Sequence, residues 1–494
     1  MNFLGIDLGT SSVKIIVMDE EGKVIASLSK EYPVFYPEQG WAEQNPEDWW
    51  NATKEGIKEL IENKQIDGKT IKSIGFSGQM HGLVTLDEND NVLMPAILWC
   101  DQRTGEECAY ITEIVGEDKL SKYTGNKALT GFTAPKILWI KKHRQEVYSK
   151  VRHILLPKDY IRFKLTGEYA TDVSDASGTL LFDVENRVWS REMLDALKIS
   201  EDLLPKCYES SQVTGIISKK AALETGLEEG TLVVGGGGDQ AAGAVGTGTV
   251  ESGIISVAMG TSGVVFASQK EYAVDSENRL HSFCHANDEW HVMGVMLSAA
   301  SCLKWWVETV NKGDSRTFDE LLNEAEKIPA GSEGLIFLPY LMGERTPYSD
   351  PYAKGCFIGL SITHTRAHMT RAILEGVAFG LKDSLELVRN LDIPINEVRV
   401  SGGGAKSKLW RQILADIFDT RIDMINSVDG PSYGAAILAA VGAGKFDSVN
   451  EACSKMIKVT ESVYPNKMNI DKYEKRYQIY SSLYGKLKDT FKEI

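Results

Sequence analysis

The strongest constraint on this chain is a device that occurs twice, about 250 residues apart. Gly5-Ile6-Asp7-Leu8-Gly9-Thr10-Ser11-Ser12-Val13-Lys14 runs into Ile15-Ile16-Val17-Met18-Asp19, and Ile255-Ser256-Val257-Ala258-Met259-Gly260-Thr261-Ser262-Gly263 runs into Val264-Val265-Phe266-Ala267. In each, a short apolar strand breaks at a Gly-Thr-Ser turn and a second apolar strand follows at once. A hairpin tip of that kind presents free backbone N–H groups and hydroxyls, which suit phosphate. Two duplicated halves can face their tips across a cleft and hold a nucleotide tail between them. Only the first copy adds a carboxylate, Asp7, able to orient Mg²⁺ through bound water. The pair points to an ATP-dependent phosphotransferase in which Thr10, Ser11, Ser12, Gly260, Thr261 and Ser262 would contact the phosphates.

A second echo supports the duplication. The strand Ile71–Phe76 ends at Ser77-Gly78-Gln79-Met80-His81-Gly82, and Val398-Arg399-Val400 ends at Ser401-Gly402-Gly403-Gly404-Ala405-Lys406-Ser407, each an apolar strand opening into a glycine-containing turn. Before the first of these, Asn45-Pro46-Glu47-Asp48 reads as a helix start, with Asn45 as cap, Pro46 at the first helical position and two acids in the positive first turn. The helix is expected to run to about Asn63. The chain of 494 residues is too long for one core, and two α/β domains, 1–247 and 248–494, are the natural division. They join near Val233-Val234-Gly235-Gly236-Gly237-Gly238-Asp239-Gln240 without a low-complexity linker, so the halves are expected to pack closely and close by a hinge. At the C-terminus, Tyr473, Tyr477, Tyr480, Tyr484, Leu487 and Phe491 form a helical stripe. It fits a last helix docked on its own domain, with the seam of a homodimer left open.

A net charge of −15 with no concentrated basic patch argues against nucleic acid or an anionic membrane as partner. An anionic nucleotide would then be met locally by amides, a metal and cations such as Lys14 and Lys406. Seven scattered cysteines without a C-x-x-C pair fit reduced thiols. No run approaches about 18 apolar residues, and Asp7 interrupts the N-terminus almost at once, so a cytoplasmic protein is expected.

Asp239 is the expected catalytic base. Four glycines before it permit close approach of backbone and substrate, and no lysine or arginine adjoins it in sequence. An aspartate there would also serve as a helix cap, and the two roles are compatible. Gly402, Gly403 and Gly404 form a turn at a strand end, where open α/β sheets bind ligands, and are assigned to adenine and ribose. His81, on its own turn after a strand end, is expected to bind a sugar hydroxyl, with Trp99, Asp101 and Arg103 as pocket neighbours. His281/His285 and His364/His368 are spaced by four but lack the H-E-x-x-H pattern, so zinc is not expected, and no P-loop or dinucleotide fingerprint occurs.

With these residues assembled, the chain resembles the FGGY family of carbohydrate kinases over essentially its whole length. The segments that carry the resemblance are Thr133-Ala134-Pro135-Lys136-Ile137-Leu138-Trp139-Ile140, and Gly355-Cys356-Phe357-Ile358-Gly359-Leu360 continuing to His368 and Ala372-Ile373-Leu374-Glu375-Gly376. The resemblance implies two ribonuclease-H-like domains of the actin, hexokinase and Hsp70 type with a cleft between them. It also implies ATP as phosphoryl donor and a small sugar as acceptor. Gln79-Met80-His81 looks like the substrate loop of members that phosphorylate a ketose. Gly237-Gly238-Asp239-Gln240 matches the family's position for the base, Gly260-Thr261-Ser262 lies on the phosphates, and Gly402-Gly403-Gly404 with Ser407 lies at the nucleotide. Two other readings stay open: a sister kinase for ribulose, gluconate or glycerol, and a sugar or nucleotide sensor or chaperone-like ATPase on the same fold.

Overall fold

The computed structural model describes residues 1–63, 66–312, 316–427 and 429–494. In the first half, strands β1 (Asn2–Leu8), β2 (Ser12–Asp19) and β3 (Val24–Glu31) form an antiparallel meander, and helix α1 (Pro46–Asn63) leads across to β4 (Ile71–Gly78), parallel to β1. Asn45 Oδ1 accepts the Glu47 N–H at 3.2 Å at the start of α1. Helices α2 (Thr133–His143), α3 (Pro157–Thr166) and α4 (Val173–Ala176) precede β5 (Val213–Ile216), β6 (Leu232–Val234) and the short β7 (Gly237–Gly238), and α5 (Asp239–Thr247) follows. The sheet runs β5-β6-β4-β1-β2-β3, with β7 beside the end of β4.

The second half repeats this frame. It contains β8 (Gly253–Met259), β9 (Gly263–Gln269), β10 (His281–Cys284), β11 (Trp290–Met296), α6 (Phe318–Glu326), α7 (Arg366–Arg389), β12 (Ile395–Ser401), α8 (Lys408–Phe418), β13 (Ile422–Ile425), α9 (Gly430–Gly442), α10 (Val449–Met456), β14 (Val459–Val463) and α11 (Lys467–Phe491). Its sheet runs β14-β13-β12-β8-β9-β11-β10. Leaving out β10, the two sheets match strand for strand in order and in parallel or antiparallel sense. The two-domain α/β architecture expected from the repeat is the one observed.

Helices α5 and α9 occupy equivalent places, each after the third parallel strand of its sheet, and they cross between the halves. Their contact is backbone on backbone. A Cβ on Gly434 would collide with the Ala242 carbonyl, one on Gly246 with that of Gly430, one on Gly5 with that of Ser432 and one on Gly75 with that of Ala435. Ser73 Oγ on β4 donates to the Ala439 carbonyl at 2.5 Å. The break at 247/248 falls in the turn after α5, where Gly248 takes left-handed backbone with φ 68°. Helices α9 and α10 lie beyond it in sequence, yet they share one core with the first half, joining Tyr433, Ile437 and Met456 to Phe3, Ile16, Met18 and Val234.

The aromatic stripe of α11 docks on its own half. Tyr473, Tyr480 and Phe491 are buried in the second core. Tyr473 donates to Glu375 Oε1 at 2.7 Å, Tyr477 to Asp383 Oδ1 at 2.7 Å and Tyr484 to Asp350 Oδ2 at 2.9 Å.

Candidate active site

The ends of β1, β4 and β7 bring the first half's chemistry to one edge. Asp7 on β1 and Gly237 on β7 both register with Ser77 on β4, and Asp239 opens α5 one residue beyond β7. Both aspartates are half-buried residues. Burial first, and the Asp7 charge second, push the Asp239 carboxyl up to about 7, against hydrogen bonds from Gln240. Burial also raises Asp7 against a Ser77 hydrogen bond and the Lys14 charge, and Asp7 Oδ1 is left buried with no hydrogen-bond partner. A carboxyl that titrates near 7 can take a proton from a hydroxyl at neutral pH.

The turn that follows β4, residues 79–82, stands beside this pair. His81 sits in left-handed backbone, φ 68°. Its Nδ1 is 2.6 Å from the Gly178 carbonyl, so Nδ1–H donates and Nε2 is left as an acceptor. Burial pulls its pKa down to about 3, so the imidazole is neutral. The ring packs on Phe132 at 4.8 Å between centroids. Met80 lies against Gly238, where a Cβ would fall 2.8 Å from its Cγ. Lys136 of α2 is fully buried, donates to the carbonyls of His81 at 2.9 Å and Gly131 at 2.7 Å, and is drawn down to about 7 by burial. This lysine braces the loop, a role that nothing in its local sequence announces. Gln79 Nε2 donates to Gln44 Oε1 at 3.0 Å, while its own Oε1 has no partner. Gln240 Nε2 reaches Asp239 Oδ1 at 3.2 Å. Trp99 is 42% exposed, and its Nε1 donates to Thr10 Oγ1 at 3.0 Å, joining this rim to the first hairpin tip.

Two expected contacts are corrected. Asp101 and Arg103 do not face the cleft as sugar ligands. Arg103 Nε and Nη2 grip the two Asp101 oxygens at 2.9 and 2.7 Å, Nη2 also reaches Glu43 at 2.8 Å, and the guanidinium lies 3.6 Å over the Trp41 ring. Asp101 Oδ2 further accepts the Ala42 N–H at 2.6 Å, so the pair fastens the loop behind the site. Lys14, directly opposite Asp7 in register, has its Nζ 2.7 Å from Asp429 Oδ1.

On the second half, Gly260 and Thr261 line a cavity of about 470 Å³ together with Gly403, Gly404, Lys406 and Ser407. Its apolar wall comes from Leu303, Phe318, Leu322 and Trp410. The volume and mixed lining suit a nucleoside. The tip is anchored from behind, since the Thr261 carbonyl accepts Ala299 N–H at 2.9 Å and Ser301 Oγ at 2.7 Å. Ser407 caps α8 by accepting the Trp410 N–H at 3.2 Å. Gly402 makes the turn with φ 87°, where a Cβ would fall 2.6 Å from the Met259 carbonyl oxygen, whereas a Cβ on Gly403 would meet nothing within 4 Å. Ser11, Ser12 and Ser262 sit on the two hairpin tips, with Ser11 and Ser262 exposed. Phe318 and Leu322 were not legible as site residues, because an amphipathic helix shows the same pattern when its apolar face covers core. Among the described residues, no group of three or more His, Cys, Asp or Glu could hold a metal by itself.

Residues 2–246 match the FGGY family of carbohydrate kinases, N-terminal domain, and residues 255–443 match the C-terminal domain of that family. A xylulose kinase of Bacillus subtilis (strain 168) is 43% identical over 487 residues, spanning 98% of this chain and 97% of that protein. The crystal structure of a ligand-bound xylulose kinase from Lactobacillus acidophilus is similar with a TM-score of 0.94 and 29% identity, covering 100% of this chain and 99% of that one. The crystal structure of a gluconate kinase from the same organism is similar with the same TM-score and identity, covering 99% of each chain.

Proposed function

Because this chain belongs to the FGGY family of carbohydrate kinases, we propose that it transfers the γ-phosphoryl group of ATP to O5 of D-xylulose, giving D-xylulose 5-phosphate and ADP. The observation that carries the reading is the place of Asp239, which opens α5 directly after Gly238, itself packed against Met80 of the loop that carries an anchored His81, in a chain whose other half holds a nucleoside-sized cavity.

Asp239 accepts the O5 proton as the bond to phosphorus forms. The transition state is loose, so positioning and charge neutralisation outweigh base strength. His81 Nε2 accepts a hydrogen bond from another hydroxyl and fixes which oxygen points at the nucleotide. The two hairpin tips offer backbone N–H groups and hydroxyls to the phosphates. Magnesium carried with the nucleotide fits the unpartnered Asp7 oxygen, which would face its water shell. When bound, that ion neutralises phosphate charge. Closure of the halves excludes water, the competing acceptor. We place the reaction in the cytoplasm, in keeping with seven free cysteines and with no helix among the described residues long and apolar enough to cross a membrane.

The fold alone does not choose the sugar, since xylulose and gluconate kinase structures are equally similar to it. Two features favour the ketose: the 43% identity to a xylulose kinase, and a sugar loop whose histidine is neutral and so offers an uncharged acceptor to hydroxyls. Sites that hydrogen-bond particular hydroxyls discriminate steeply. ADP release with Mg-ATP should be fastest with D-xylulose among D-xylulose, D-ribulose, L-ribulose, glycerol, gluconate and no sugar. Preference for another acceptor would overturn the substrate and keep the chemistry, whereas a sugar-independent rate would overturn both.

A further inference from the structure

Behind the catalytic turn lies a dry cluster of charge that the transfer itself does not use. Lys158, Asp159 and Arg162 of α3, with Asp172 and Asp175 at α4, are each at most 1% exposed. Lys158 Nζ lies 2.6 Å from Asp159 Oδ1, 2.7 Å from Asp172 Oδ1 and 3.2 Å from Asp175 Oδ2. Asp172 Oδ2 accepts the Ser174 N–H at 2.8 Å, the Ser174 hydroxyl at 2.5 Å and the Ser210 hydroxyl at 3.2 Å. The Ser174 oxygen in turn accepts the N–H of Gly238, the residue before Asp239, at 3.1 Å. At the other end of the glycine turn, Arg162 Nη1 donates to the Gly235 carbonyl at 2.6 Å.

Three carboxylates face two cations here, and burial holds the Asp175 carboxyl well above its usual range. For stability alone, well-packed apolar side chains serve such a place as well or better. What they cannot supply is directed hydrogen bonds to the two ends of a glycine turn whose backbone groups are buried. The same segment also reaches the sugar side. The Gly178 carbonyl holds His81 Nδ1, and a Cβ on Gly178 would lie 2.5 Å from that ring. Ser177 Oγ meanwhile accepts the Cys284 N–H at 3.0 Å, from β10 of the other half.

We propose that residues 172–178 are a common mount, clamped by Lys158 through Asp172, which sets the catalytic carboxylate and the sugar-binding imidazole relative to one another. Ser174 is the positioning residue through which the clamp reaches Asp239. The inference rests on Asp239 as proton acceptor and on His81 as sugar ligand.

Steady-state kinetics of the full-length enzyme with Mg-ATP and D-xylulose test it. Loss of one hydrogen bond at the turn in Ser174→Ala should lower kcat about tenfold. KM for ATP should stay within about twofold, and the near-neutral limb of the pH profile should move. Gly178→Ala, which pushes the imidazole, should raise KM for the sugar and not for ATP, and it reads the other arm should Ser174→Ala fail to fold. Unchanged kcat in Ser174→Ala, a parallel loss of ATP affinity in either variant, or an unaltered sugar KM in Gly178→Ala overturns the mount. Asp239→Asn run alongside separates the two claims, since turnover retained there defeats the base assignment itself.

Discussion

Two aspartates stand at the heads of the two crossing helices, and the halves of the molecule treat them differently. Asp429, just before α9, is 2.7 Å from the Lys14 ammonium. Asp239, the first residue of α5, has no cation at that range among the described residues; its charged neighbour is Asp7, and its carboxyl is pushed up to about 7. The contrast continues along the strands. By register, the counterpart of Asp7 in the second sheet is Ala258, which faces Ser401 as Asp7 faces Ser77, and the counterpart of Lys14 is Val264. One frame built twice thus carries unneutralised acid in one copy and a nucleoside-sized cavity in the other. A few residues at strand ends, not the topology, divide the labour.

The sharpest way to break this contrast is Asp239→Asn, which removes the carboxylate at the head of α5. Turnover with D-xylulose should fall by about 10²-fold or more while nucleotide binding persists, read by ADP release and by ATP titration. Next comes the other copy. Gly403→Val puts a branched side chain into the open space at the cavity and should raise KM for ATP about tenfold with little change in KM for the sugar. The pH profile is a finer reading. With Asp239 required as carboxylate, kcat/KM should rise about tenfold per unit up to about pH 7 and level above it, a limb absent from any residual activity of Asp239→Asn.

The smallest effect is on stability. The folded-state pKa of Asp239 lies above its unfolded value, so between about pH 4 and pH 7 the folded chain keeps a proton that the unfolded chain has released. Its contribution to stability is therefore lost as pH rises through 7. Asp239→Asn should melt a few degrees above the parent chain at pH 8 and converge with it near pH 4.

The duplicated frame was legible because its signals are local: a Gly-Thr-Ser tip between apolar strands, a capped helix start at Asn45, and glycine turns at strand ends. The glycine turn that carries Asp239 was legible for the same reason. Helix α9 was not. Gly430-Pro431-Ser432-Tyr433-Gly434-Ala435-Ala436 is buried on nearly every face, so it shows no alternation of polar and apolar residues, and its attachment to the first sheet has no counterpart in nearby sequence. The clamp at Lys158 was hidden because isolated Lys and Asp residues read as solvated surface until the chain brings them together. Asp101 and Arg103 misled in the opposite way: their place after an apolar run suggested a pocket, but it could not reveal that the guanidinium turns back onto its own neighbour and onto Trp41.

The glycine seat beneath α9 has a consequence for how such an enzyme changes. Gly5, Gly75, Gly246 and Gly434 leave no side chain between one backbone and the next, so that joint has no shims to adjust. The closest approach of α9 to α5 and to the first sheet is therefore set by main chain, and any bulkier residue at these four positions would have to move a whole backbone.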